Sequence, residues 1–213
     1  MKFPTLLLTS LALMLAYASC QNEEANKPAD GPSHPLVDAA RSQVGVTKRY
    51  DGSYVALEYP GGDVPMETGV CTDVIIRSLR KGYNQDLQKL VHLDMKANFS
   101  KYPKIWGLKR TDRNIDHRRV PNLQTFFKRK GYQLELTDKA ENFKPGDLVT
   151  CIVPPNLPHI MIVSNKKNSK GEPLVIHNIG GGASEDNDLF RYKLTGHYRI
   201  PVPRAKLGTS NPE

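Results

Sequence analysis

Hydrophobic periodicity in this chain changes character once, near residue 131, and that change restricts the fold more than any other feature of the sequence. Before it, apolar residues recur at helical spacing. Leu36, Ala39, Ala40 and Val44 share a face in residues 35–44, and Val74, Ile75 and Leu79 do so in residues 71–81, where Gly82 is placed to stop the helix. Leu87, Leu90, Val91, Met95 and Phe99 align over residues 86–99, and a short helix over 121–130 is closed by Gly131. After it come short apolar runs bounded by Gly and Pro, which predict strands over 132–136, 148–153, 159–164, 174–179 and 190–198. Helices first and antiparallel strands afterwards is the pattern of an α+β domain.

The first residues bear on compartment. Lys2 precedes an apolar stretch from Leu6 to Ala18, shorter than the roughly 20 residues needed to cross a bilayer, so residues 1–19 read as a signal peptide. Ala16-Tyr17-Ala18 offers a processing site, and Ala18-Ser19-Cys20 offers a lipobox in which Cys20 would carry lipid. Residues 20–35 are polar and lack an apolar period, as a flexible tether would be, and residues 204–213 read as a disordered tail. Residues 36–203 then form one domain. The expected location is outside the cytoplasm, either in the periplasm or on the outer membrane through lipidated Cys20.

A net charge of +8 favours anionic partners. The clusters Arg118-Arg119, Lys128-Arg129-Lys130 and Lys166-Lys167 are short and scattered, and no zinc-finger or RNP word accompanies them, so nucleic acid is not expected. The sequence specifies no oligomeric state.

Cysteine occurs only at positions 20, 71 and 151, too few for a disulfide scaffold, although a bridge from Cys71 to Cys151 stays open. Cys71 falls in the first turn of its helix, where unpaired N–H groups stabilise a thiolate and can cradle an oxyanion. Asp73 opposes the thiolate and should point away or be paired. His159 opens an apolar strand on which Ile160 and Ile162 face one way, His159 and Met161 the other. His177, on the following strand, can hydrogen-bond its far nitrogen. Asn178 is the alternative, but alternation turns it to the opposite face. His117 is a rival base. By spacing alone these residues are equally readable as unrelated core positions. Cys71, His159 and His177 are also ordinary zinc-ligand types, though without paired spacing. A wall-binding module without catalysis would need neither thiol nor imidazole.

The words around these residues are more specific. Gly69-Val70-Cys71-Thr72-Asp73-Val74, Asn114-Ile115-Asp116-His117-Arg118-Arg119-Val120-Pro121-Asn122-Leu123, Pro145-Gly146-Asp147-Leu148-Val149, Leu157-Pro158-His159-Ile160, Val175-Ile176-His177-Asn178-Ile179-Gly180 and Gly196-His197-Tyr198-Arg199 resemble the bacterial family DUF1287, as does Tyr59-Pro60-Gly61-Gly62-Asp63-Val64-Pro65. The resemblance runs from about residue 37 to residue 200. That family is grouped with the NlpC/P60 papain-like hydrolases, which implies a helical half packed on an antiparallel sheet and a triad of Cys71, His159 and His177. It also implies cleavage of amide bonds in peptidoglycan stem peptides without a cofactor.

Many NlpC/P60 enzymes carry Asp-Cys-Ser, whose Asp and Ser bind a substrate amine; here the flanks are Val70 and Thr72. Asp63, Asp73 and Asp116 are candidates for the missing carboxylate. With Arg118 and Asn178 they make up the expected substrate-binding set, although residues 116–119 also read as a loop locked by its own ion pairs. Gly180-Gly181-Gly182 and the acidic residues Glu185, Asp186 and Asp188 read as a flexible loop at the cleft rim. Tyr50, Tyr54 and Tyr59, ahead of Cys71, could line the cleft or pack in the core, and the core is taken as the default.

Overall fold

The computed structural model describes residues 31–203, so the expected signal peptide, Cys20 and the expected tail from residue 204 lie outside the described residues. The chain runs through α1 (Pro35–Arg41), β1 (Arg49–Tyr50), β2 (Thr68–Gly69), α2 (Cys71–Tyr83), α3 (Leu87–Ala97) and α4 (Val120–Arg129), then β3 (Gln133–Leu134), β4 (Leu148–Val153), β5 (Leu157–Lys167), β6 (Pro173–Asn178), β7 (Ala183–Asp186) and β8 (Lys193–Tyr198). Strands β1 and β2 form a small parallel pair. The others form one antiparallel sheet in the order β3-β8-β4-β5-β6-β7. This is the expected α+β architecture, helices before sheet.

Strand alternation divides the core in two. Leu148, Ile160, Ile162 and Ile176 join the residues of α1, α2 and α4 in the main cluster. Val149, Cys151, Met161, Val163 and Val175 pack with Phe143 and Leu189 in a second one. Both faces of β5 are therefore covered, as its unbroken apolar run requires.

Several expectations need correction. Gly82 does not stop α2; it lies inside the helix, where a Cβ would come within 2.8 Å of the Pro35 carbonyl oxygen, so its missing side chain lets the start of α1 cross closely. The helix ends instead at Asn84, in the left-handed conformation with φ 55°. Helix α1 stops at Arg41, and Val44, in the turn after it, is exposed. Residues 183–186 of the supposed rim loop are the edge strand β7, paired with β6. The end of the supposed tether is docked: Asn165 donates to the Gly31 and Pro32 carbonyls, and Gly31 N–H donates to the Asn165 carbonyl.

Two of the long sequence words meet in a structural clamp. Asp147, fully buried at the start of β4, accepts from His197 Nε2 at 2.7 Å, from Arg199 at 2.6 and 2.8 Å, and from the Lys144 N–H at 2.8 Å. Burial alone would raise its pKa, but these donors outweigh burial and hold it below the usual carboxylate value. The clamp fixes β8 beside β4 and thereby the middle of the sheet.

Candidate active site

Cys71 is the first residue of α2, where the backbone N–H groups lack helical partners. The N–H groups of Ile160, Thr72 and Cys71 itself favour its thiolate through hydrogen bonds, and the Tyr50 hydroxyl also bonds to it. Burial nevertheless dominates. It pushes the thiol up to about 11, with Asp73 adding to the rise, so at neutral pH the sulfur is protonated. A helix N-terminus alone led to the opposite expectation, because it takes no account of desolvation.

Asp73 is paired, as anticipated. Arg118 grips both its oxygens, at 2.9 and 2.8 Å, and the Val70 N–H donates to it at 2.7 Å. Arg118 also reaches the Asp51 and Ser53 carbonyls, and Thr72 Oγ1 donates to the Arg118 carbonyl at 3.0 Å. This ion pair thus ties the segment after β1 and the turn Asp116–Arg118 to the start of α2, and fixes where Cys71 stands.

His159 lies on β5 and His177 on β6, with His159 Nε2 2.9 Å from His177 Nδ1. The rings meet edge to face at a centroid distance of 5.0 Å. Burial, aided by His177, lowers His159 to about 3, and burial also lowers His177 against the opposing pull of Asp186 and Asp188. Both imidazoles are therefore neutral at neutral pH. His177 Nε2 continues the chain to Asp186 Oδ2 at 3.3 Å. Asn178 faces the helices, as alternation demands. Its amide donates to the Gly69 carbonyl at 3.0 Å and accepts from Gly180 and Gly182 N–H, so it anchors the strand that leads into Cys71.

The sulfur meets β5 at the Ile160 N–H, one residue past His159. Among the described residues no direct hydrogen bond joins Cys71 Sγ to the His159 ring. His159 leaves the strand on the Met161 side, where Cys151 is its register partner on β4. Cys71 and Cys151 are both free thiols, so the bridge left open by the sequence is absent.

A cleft of about 330 Å³ opens onto Cys71, walled by Tyr50, Val70, Ile105, Trp106, Arg118, Arg119 and Pro158. Arg119 lies over the Trp106 ring at 4.2 Å and pairs with Asp116 at 3.6 Å. Of the expected substrate-binding set only Arg118 reaches this cleft. Asp63 instead holds Arg77 and Arg80, further along α2. Asp73 and Asn178 have the internal partners just described. Asp116 is buried, accepts from the Asp112 N–H at 2.6 Å and is pushed up to about 6 by burial. Buried carboxylates cost too much to leave unpaired, which is why the fold consumes them. His117, the rival base, is buried among Arg118, Arg80, Asp86 and Asp63; it lies off the cleft, and His159 and His177 do not line the cleft either, Pro158 being the β5 residue in its wall.

Asp186 is a contact that sequence reading missed, and Tyr50 takes the cleft-wall alternative rather than the core default. Tyr50 stands half exposed there. Asp186 was placed in a mobile rim rather than beside an imidazole. A larger groove, of about 810 Å³, lies between residues 134–142 and 190–199 and contains none of Cys71, His159 and His177. Among the described residues no group of three His, Cys, Asp or Glu side chains is disposed to hold a metal ion, and no helix is long and apolar enough to cross a membrane.

Comparison with known proteins agrees with the sequence words. The chain is 46% identical over 202 residues to the uncharacterized protein YijF of Escherichia coli strain K12, an alignment covering 91% of this chain and 98% of that one. Among solved structures it is similar to NlpC1 from Trichomonas vaginalis, at 13% identity and a TM-score of 0.39, over 81% of this chain and 46% of that one. Residues 37–200 match the family described as a domain of unknown function, DUF1287, and the chain belongs to that family.

Proposed function

We propose that this protein is an exported cysteine hydrolase that cleaves amide bonds in peptidoglycan stem peptides, with Cys71 as nucleophile, His159 as base and His177 as its orienting partner. The observation that carries this reading is the convergence of backbone N–H donors on a thiol that opens a helix in a cleft, beside a strand bearing one of two hydrogen-bonded neutral imidazoles. The sequence words that resemble an NlpC/P60-related family supply the substrate class.

With thiol and imidazole both neutral at rest, proton transfer accompanies attack. His159 takes the Cys71 proton as sulfur bonds to the scissile carbonyl carbon, and the Cys71 and Thr72 N–H groups with the Tyr50 hydroxyl stabilise the oxyanion. The imidazolium then protonates the leaving amine, and water hydrolyses the thioester by the reverse sequence. Hydrogen bonds of this kind often tighten only when substrate is bound. Among the described residues no carboxylate lines the cleft, Asp73 being held by Arg118, so a substrate amine is not selected in the Asp-Cys-Ser manner.

Location outside the cytoplasm, in the periplasm or through lipid on Cys20 at the outer membrane, belongs to the same proposal and rests on residues 1–20. Digestion of purified peptidoglycan followed by mass spectrometry of the products tests the activity. New amine and carboxyl termini are expected with the native protein and not with Cys71→Ala; an unchanged digest with both would sink the proposal.

A further inference from the structure

Beyond His177 the polar chain does not stop. His177 Nε2 lies 3.3 Å from Asp186 Oδ2 and 3.9 Å from Asp188 Oδ2. Asp186 is placed by the sheet itself: His177 and Ser184 are register partners across β6 and β7, and Ser184 Oγ donates to the same Asp186 oxygen. Asp188 is held separately, by Arg191 at 3.2 Å.

A carboxylate only accepts hydrogen bonds, so the His177 nitrogen facing it must carry the proton. A neutral imidazole has one protonated nitrogen, and His177 is kept neutral by burial. Its Nδ1 is therefore a bare acceptor. The partner of that acceptor, His159 Nε2 at 2.9 Å, must then be the donor. His159 is neutral as well, which leaves its lone pair on Nδ1. From the far end of the chain, one carboxylate decides which nitrogen of the base is free.

We propose that Asp186 is a positioning residue of the site: it fixes the proton on Nε2 of both His177 and His159 and so leaves Nδ1 of His159 as the atom that takes the Cys71 proton. This deepens the cysteine-hydrolase reading above and rests on it. The role is electrostatic as well as steric, because the carboxylate favours positive charge on the imidazole pair when the thiol proton is transferred.

Two measurements on the purified protein test it. Nitrogen-15 spectra of the histidine rings at neutral pH report the tautomers directly and need no variant. Both His159 and His177 are expected in the Nε2–H form, and an Nδ1–H form of His177 overturns the proposal. The second is the rate of Cys71 alkylation by iodoacetamide in the native protein, Asp186→Ala, Asp186→Glu and His159→Ala. Asp186→Ala is expected to slow alkylation by roughly tenfold, less than the ~10²- to 10⁴-fold attributable to a direct acid-base group, and Asp186→Glu to recover part of the loss. A native rate in Asp186→Ala overturns the positioning role. A native rate in His159→Ala instead removes the hydrolase reading on which the role depends.

Discussion

Cys151 and His159 are direct register partners on β4 and β5, whereas Cys71 meets β5 one residue later, at the Ile160 N–H. Two thiols therefore flank one histidine. Cys151 is fully buried in the second core cluster, and burial pushes it up to about 12. Cys71 has the helix N–H donors and the cleft.

The two thiols should thus separate cleanly by mutation. Cys71→Ala and His159→Ala should each abolish peptidoglycan hydrolysis, while Cys151→Ala should retain most of it and lose only packing. Product release from labelled wall measures this. Activity surviving in Cys71→Ala but lost in Cys151→Ala would reverse the assignment.

His177 and Asn178 are adjacent in sequence but face opposite sides of the sheet, and their variants should fail differently. His177→Ala should lower kcat strongly, within the ~10²- to 10⁴-fold range of acid-base contributions, and the void left at this fully buried position should also cost some stability. Asn178→Ala leaves the Gly180 and Gly182 N–H groups without their acceptor, each costing about 1–3 kcal/mol, and removes one of the two donors to the Gly69 carbonyl, so urea denaturation should reveal it first. A larger kcat loss in a folded Asn178→Ala protein would exchange the two roles.

Removing Arg118 strands a buried carboxylate on Asp73. Loss of one partner from such a pair costs about 3–5 kcal/mol, so Arg118→Ala should show a marked fall in Tm. Replacing both, Asp73→Leu with Arg118→Met, should be milder than the single change. A single variant with native Tm would show that the pair does not brace the site.

Acid should destabilise the fold through its buried histidines, although Asp116, raised to about 6 by burial, offsets part of the loss because the native state takes up its proton before the unfolded chain does. His117 is lowered to about 4 and His159 to about 3, burial being the main cause in both. Between those values and the unfolded value of about 6.5, the unfolded chain binds protons that the native state excludes. Stability is therefore fully present above about pH 6.5 and falls as pH drops through this window, by at most about 1.4 kcal/mol per pH unit for each histidine. Urea midpoints at pH 8, 6, 5 and 4 should trace that decline, and a flat profile would contradict it.

Cys20→Ala should release the protein from the membrane fraction of the host cell if lipid anchors it. Unchanged recovery in the soluble periplasmic fraction would instead favour processing after Ala18.

What could be read from the sequence follows the range of each interaction. The start of α2 at Cys71, all of β4 and the opposite orientation of His177 and Asn178 came from periodicity, which is set by neighbours along the chain. Gly82 looked like a terminator because its purpose, room for the backbone of Pro35, is tertiary. Strand β7 is four residues long and acidic, so it carries no apolar alternation to announce it. Tyr50 reaches the site through groups well along the chain and Asp186 across the pairing of β6 with β7. Asp63 and Asp73 looked available because their partners Arg77 and Arg118 lie elsewhere in the chain, whereas Asp116 is held locally by the Asp112 N–H and Arg119.

Among the described residues, the last strand in sequence sits between β3 and β4 rather than at an edge of the sheet. A chain delivered N-terminus first, from a ribosome or through a membrane channel, must leave that space vacant until residues 193–198 arrive, and Asp147 has no His197 or Arg199 to meet before then. Closure of the sheet is thereby postponed until β8 is delivered. Truncation just short of β8 should yield not a weakened protein but one that cannot complete its fold.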